Sequence, residues 1–281
     1  MCYRVLFVAL FVLSMGALAD ADTVAYYRFE EGADGAGSTG AAPGTLGHVL
    51  DSSGNGHHGT AFGSPIYDAF VDDTTIPQTG ASNNLSMRFT GASGQVVQVL
   101  SPFIFHSQFG DATLEFSMYQ ATSSHTSIFW TRSGNGDRNR WNIFTNGGFG
   151  MDYRNPVGVL TSFGRPVPGF GGTLGHWEHI TVTRTQIAAN TFDYDFYRNG
   201  VFAFTKNAPV TNLPNSTVWE IAGREGFKFV GWIDEVRFSN TALAPDQFLG
   251  AGGAPTPIPE PATTWLVLCG VAFVVIHRMR T

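Results

Sequence analysis

Phe192-Asp193-Tyr194-Asp195-Phe196-Tyr197-Arg198-Asn199-Gly200-Val201-Phe202-Ala203-Phe204-Thr205 is the stretch that decides the fold class. Aromatic and acidic residues alternate along its first half, a period of two that puts Asp193 and Asp195 on one face of a strand. Asn199-Gly200 follows, the dipeptide best able to place two successive residues at positive φ. An apolar run from Val201 to Thr205 then returns. The segment reads as a tight β-hairpin.

Working outward, the same signals recur. Trp177 to Arg184 reads as the preceding strand. Thr113 to Gln120 sets Leu114, Phe116 and Met118 against Glu115, Ser117 and Tyr119, the pattern of a half-buried strand. Val24 to Glu30 opens the domain, with Val24, Tyr26 and Arg28 on one side and Ala25, Tyr27 and Phe29 on the other. Ser86–Thr90, Val96–Leu100, Ser127–Arg132, Trp141–Thr145, Phe149–Tyr153, Val218–Gly223 and Phe229–Ser239 complete the set. Gly32 to Gly47 is a Gly/Ala/Thr-rich loop, and Leu50 to Gly59 is dense in turn-forming residues. No long amphipathic helix precedes residue 260. Short strands separated by turns predict an all-β, two-sheet antiparallel sandwich of the jelly-roll kind.

Composition agrees. Gly (34) and Phe (24) are abundant while charged residues are 14%, and the apolar share is that of a packed core rather than of a disordered chain. The two cysteines, Cys2 and Cys269, lie near the chain ends, so the domain between has neither a disulfide nor a thiolate metal ligand. Setting Arg4, Arg278 and Arg280 aside with those ends reduces the 16 basic residues to 13, against 22 acidic. A domain so acidic, with no basic patch, repels nucleic acid.

The ends carry an address. Arg4, an apolar run from Val5 to Leu13, and Ala17-Leu18-Ala19 predict a signal peptide over residues 1–19, cut by signal peptidase after Ala19. The sandwich is expected over residues 20–250 and a linker over 251–258. Residues 262–276 form an apolar segment predicted as a transmembrane helix, although at ~1.5 Å per residue it spans only about 22 Å. Arg278 and Arg280 behind it would hold that end in the cytoplasm. Pro259-Glu260-Pro261, the apolar segment and the Arg-bearing terminus together resemble the PEP-CTERM sorting signal of bacteria that make exopolysaccharide. That resemblance implies transient anchoring in the inner membrane and processing by an exosortase. Delivery to the cell surface or extracellular matrix would follow.

The body of the chain has a resemblance of its own. Tyr27-Arg28-Phe29-Glu30-Glu31-Gly32, Asp51-Ser52-Ser53-Gly54-Asn55-Gly56-His57-His58-Gly59, Trp177 to Thr183 with Tyr197-Arg198-Asn199-Gly200, and Gly231 to Ser239 with Ala242-Leu243 occur in the order seen in laminin-G-like domains. These belong to the concanavalin A-like lectins and glucanases. The resemblance implies two curved sheets with the first and last strands neighbours, which would bring Glu30 or Glu31 close to Asp234.

Catalysis finds little footing. Glycosidases on this sandwich carry Glu-x-Asp-x-Glu or Glu-x-Asp-x-x-Glu on one strand face, and the chain has neither motif. Asp193 and Asp195 read as a solvated face, His57-His58 as a surface turn. Calcium is the candidate cofactor: Glu30, Glu31, Asp51, Asn55 and Asp234 offer the oxygens a hard cation takes, while Asp51 could equally cap its own turn. Trp141 with Arg138, Asn139 and Arg140 forms a candidate ligand cluster in a polar loop; Trp177, Trp219 and Trp232 read as packing residues. The expected function is non-enzymatic: a surface or matrix protein binding carbohydrate or another envelope component. A glycan-cleaving enzyme and a purely structural matrix protein are the alternatives.

Overall fold

The computed structural model describes residues 23–38, 48–100, 110–123, 126–132, 140–145, 149–154, 160–163, 174–189, 191–209, 218–223 and 227–251. Strands follow one another along them: β1 (Thr23–Tyr27), β2 (His48–Val49), β3 (Gly59–Phe62), β4 (Ile66–Asp68), β5 (Ser86–Thr90) and β6 (Val96–Leu100). Next come β7 (Ala112–Gln120), β8 (Thr126–Arg132), β9 (Arg140–Thr145), β10 (Phe149–Arg154) and β11 (Leu160–Phe163). The last are β12 (Trp177–Ala188), β13 (Thr191–Arg198), β14 (Val201–Pro209), β15 (Val218–Ile221) and β16 (Val230–Ser239), ahead of a 3-10 turn at Pro245–Gln247. Asn199 and Gly200 stand at φ +50° and +73°, the pair of left-handed residues that the β13–β14 hairpin needs.

Two antiparallel sheets result. Sheet I runs β14-β13-β12-β7-β16-β5-β4, with β1 also paired to β16. Sheet II runs β11-β10-β9-β8-β15-β6-β3-β2. The first and last strands are neighbours, as the resemblance implied: Tyr26 pairs with Arg237 and Tyr27 with Val236. The core lies between the sheets. Leu114, Phe116, Met118, Ile180, Val182, Phe196, Ile233 and Phe238 of sheet I meet Val97, Val99, Phe129, Ile143, Trp219 and Ile221 of sheet II. Rings interlock across the gap, Phe116 with Phe129 at 4.6 Å and Phe238 with Trp219 at 5.5 Å between centroids.

One strand departs from expectation. β7 is buried on both faces, Glu115 and Ser117 included. The residues after β16 explain this: Leu249 N–H donates to Glu115, Leu243 N–H donates to Thr113, and the Arg237 guanidinium donates to Glu115 and to Gln247 O. The chain after β16 thus folds back over the outer face of sheet I and turns it into a second, polar interior.

The expected signal peptide, including Ala17 and Ala19, lies outside the described residues. So does the sorting segment with Pro259, Glu260, Pro261, residues 262–276, Arg278 and Arg280. Among the described residues no helix is long and apolar enough to cross a membrane.

Candidate functional site

The outer face of sheet I is organised in rows across the strands. Trp177 of β12 faces Tyr119 of β7, Tyr119 faces Trp232 of β16, and Trp232 faces Arg88 of β5. Phe70 closes over this row, its ring 4.9 Å from Tyr119, 5.0 Å from Trp232 and 5.5 Å from Trp177. Arg88 stands 5.2 Å over the Trp232 ring, a cation–π contact. Trp177 and Trp232 therefore do pack, but against each other's neighbours outside the core, whereas Trp219 lies in the core.

The next row is His179, Ser117 and Asp234, and the one after it Thr181, Glu115 and Arg237. Between Asp234 and Arg237 the register shifts, and Glu235 stands at φ +50°. This bulge turns two successive carboxylates to the outer side. Asp234 accepts from Asn83 Nδ2 at 2.8 Å, and Glu235 accepts from the Tyr26 hydroxyl and from Arg28 Nε at 3.2 Å. Burial, then the Glu235 charge, pushes the Asp234 carboxyl well up. Burial also raises Glu235, to about 7, against the pull of Arg28 and Tyr26. Glu115 behaves oppositely: burial pushes it up, but Arg237, His179 and Leu249 N–H together hold it below the ordinary carboxylate range.

Over the first two rows opens a cleft of about 240 Å³. Trp177, Ser117, His179 and Glu235 line it from the sheet. Asp72, Asp73, Ile76, Pro77 and Asn83 come from the chain between β4 and β5; Asn199, Leu249 and Gly250 close the other side. Gly250 is required there, because a Cβ would stand 2.9 Å from the His179 ring. Among the described residues no hydrogen bond or ion pair engages Asp72 or Asp73. Partial burial and the Asp73 charge push the Asp72 carboxyl up, with His179 opposing.

Of the residues singled out from sequence, Asp234 lies in the second row and the others fall elsewhere. Asp51 accepts N–H bonds from Tyr26, Ser53 and His57, each at 2.9 Å. It caps its own turn and ties that turn to β1. Asn55 donates to Thr23 O and Val24 O. Glu30 accepts from the N–H groups of Asn84 and Leu85, and Glu31 from Leu50 N–H and the Tyr67 hydroxyl. The carboxylates of Glu30, Glu31, Asp51 and Asp234 are thus directed at separate donors. Among the described residues no group of three or more His, Cys, Asp or Glu side chains is placed to hold a metal. Glu30 and Asp234 do share a neighbourhood, through the consecutive Asn83 and Asn84. Arg138 and Asn139 lie outside the described residues. Arg140 and Trp141 open β9, whose backbone pairs within sheet II, away from the cleft over sheet I. Asp193 and Asp195 bond across the hairpin to Asn207 and Thr205.

The sequence reading passed over Asp72, Asp73 and Asn83. The one local signal was an Asp-Asp pair in a stretch without strand alternation.

Comparison with solved structures places the fold. Domain 4 of AbnA, a GH43 extracellular arabinanase from Geobacillus stearothermophilus solved with arabinotriose, is 19% identical, with a TM-score of 0.52 over 81% of this chain and 96% of that one. The receptor binding domain of botulinum neurotoxin type G is 12% identical, with a TM-score of 0.54 over 81% of this chain. The binding domain of Paraclostridial Mosquitocidal Protein 1 is 15% identical, with a TM-score of 0.53 over 76%. The chain matches about half, 50%, of each toxin domain's length. No curated protein matches it in sequence. A family profile does: residues 101–247, from before β7 to the 3-10 turn, match the concanavalin A-like lectin/glucanases superfamily in its laminin G form, and to that family the chain belongs.

Proposed function

We propose that this domain is a non-catalytic glycan-binding module of an exported surface or matrix protein, and that the sugar seats in the cleft over sheet I against Trp177. One observation carries the reading: a continuous aromatic row, Trp177-Tyr119-Trp232, ends in a polar-lined cleft of about 240 Å³. Sugar rings present apolar C–H faces and a rim of hydroxyls. Pockets of this make-up, an apolar surface with a few placed polar groups, suit such ligands. Likeness of fold to a domain solved with arabinotriose supports the class of partner.

The chain ends support the setting. Ala17-Leu18-Ala19 and Pro259-Glu260-Pro261 with its basic tail suit signal peptidase and exosortase in turn, leaving the domain at the surface or in the exopolysaccharide matrix.

The test is titration of bacterial exopolysaccharide fragments into the wild-type protein and Trp177→Ala, with melting curves to verify folding. Loss of one stacking face should weaken binding about tenfold. Unchanged affinity in the variant, or no glycan bound by the wild type, would refute the site or the reading respectively. Release of reducing ends would refute its non-catalytic part.

A further inference from the structure

We infer that the sugar taken by this cleft bears a free ammonium group, as in a hexosamine residue of a deacetylated polymer; the inference rests on the glycan-binding reading above. What is left unpaired around the cleft decides it. The Glu235 charge is matched by Arg28 and that of Glu115 by Arg237. Asp72 and Asp73, both at the rim, accept no hydrogen bond and pair with no arginine or lysine among the described residues.

One deeper group points the same way. Asn83 is only 2% exposed and spends its Nδ2 on Asp234, so its Oδ1 has no donor. The three open positions are thus all acceptors, two of them charged. An ammonium group is the complement: three donors, no acceptor, one positive charge. Hydroxyls of the same ring can accept from the unpartnered Trp177 Nε1–H, and the Trp177 face suits a cationic pyranose. The volume, about 240 Å³, equals roughly eight waters, the scale of one sugar residue.

The test compares a β-linked glucosamine tetramer with its fully N-acetylated counterpart, titrated into the full chain. Wild type should bind the free amine about tenfold more tightly, the worth of one charge-assisted hydrogen bond. Asp72→Asn/Asp73→Asn should erase that preference. Asp193→Asn/Asp195→Asn, which removes equal charge elsewhere on sheet I, should keep it. Equal affinity for the two tetramers overturns the inference while leaving the glycan reading intact. Binding of neither tetramer, with other glycans bound, overturns the inference alone; binding of no glycan overturns both. Preference lost equally in the two double variants would reduce the effect to net charge and overturn the assignment. Oligolysine binding as tightly as the glucosamine tetramer would overturn the sugar assignment.

Discussion

Glu115 is the residue on which the second interior depends, and its removal has a calculable consequence. Its carboxylate, fully buried, accepts from Arg237 Nε at 2.6 Å, from a second Arg237 nitrogen and from Leu249 N–H at 2.7 Å, with His179 Nε2 at 3.2 Å. Glu115→Leu leaves the Arg237 guanidinium buried without its counter-charge, a loss of about 3–5 kcal/mol. Leu249 N–H loses its acceptor as well, worth about 1–3 kcal/mol if it finds no water. We expect a total near 4 kcal/mol, because the chain after β16 can lift and rehydrate both groups. For a domain of this size that lowers the melting midpoint by about 8–16 °C. Arg237→Met should cost a similar amount by the same logic.

The pair of substitutions together should cost less than either alone, since an apolar pair of similar volume replaces a buried ion pair at little net loss. Urea unfolding followed by tryptophan fluorescence measures all three variants. The double-mutant cycle should give a coupling of at least 2 kcal/mol. Strictly additive losses, or single losses below about 1 kcal/mol, would refute the account and make the cluster an ordinary surface pair.

Two further outcomes follow from the same face. Burial raises Glu235 from its ordinary 4.5 to about 7, so the folded state holds its proton more tightly; that stability is fully present below pH 4.5 and is lost as pH rises through about 7. Unfolding free energy should therefore be about 2 kcal/mol greater at pH 5.5 than at pH 8, with the difference reduced in Glu235→Gln; a wild-type slope of the opposite sign would refute it. Gly231, at φ +150°, leaves no room for a Cβ against the Tyr119 carbonyl, so Gly231→Ala should lower stability by about 2–3 kcal/mol, and an unchanged melting midpoint would refute that reading.

Much of the sandwich was legible because its core is made by alternation. Ser86–Thr90 and Val96–Leu100 were read with the bounds that β5 and β6 have, and Asn199-Gly200 announced its hairpin. β2, β3, β4 and β11 were not, being two to four residues long, too short for a period of two to show. Alternation also misled at β7. It marks Glu115 and Ser117 as polar, and polar positions read as solvent-facing; their partners lie far along the chain, Arg237 122 positions away. A pattern within one strand carries no information on what covers its other face.

The same limit hid the site, and the bulge at Glu235 shows how. Strict alternation from Ile233 and Asp234 would send Glu235 inward with Ile233, where its charge would be unpaired. A left-handed residue in that place resets the strand, so Val236 and Phe238 still reach the core while Asp234 and Glu235 both face outward. Nothing local predicts it, since a glutamate, not a glycine, takes the positive φ, at a cost of roughly 1–2 kcal/mol. What offsets that cost is distant: the Tyr26 hydroxyl and Arg28 from β1 and the residue after it, and Asn83 from the chain before β5. Asn83 also lines the cleft, and with its Nδ2 spent on Asp234 its Oδ1 has no donor. The strained backbone, the buried carboxylate pair and the acceptor-rich cleft are therefore one construction, and disturbing the bulge should weaken ligand binding along with stability.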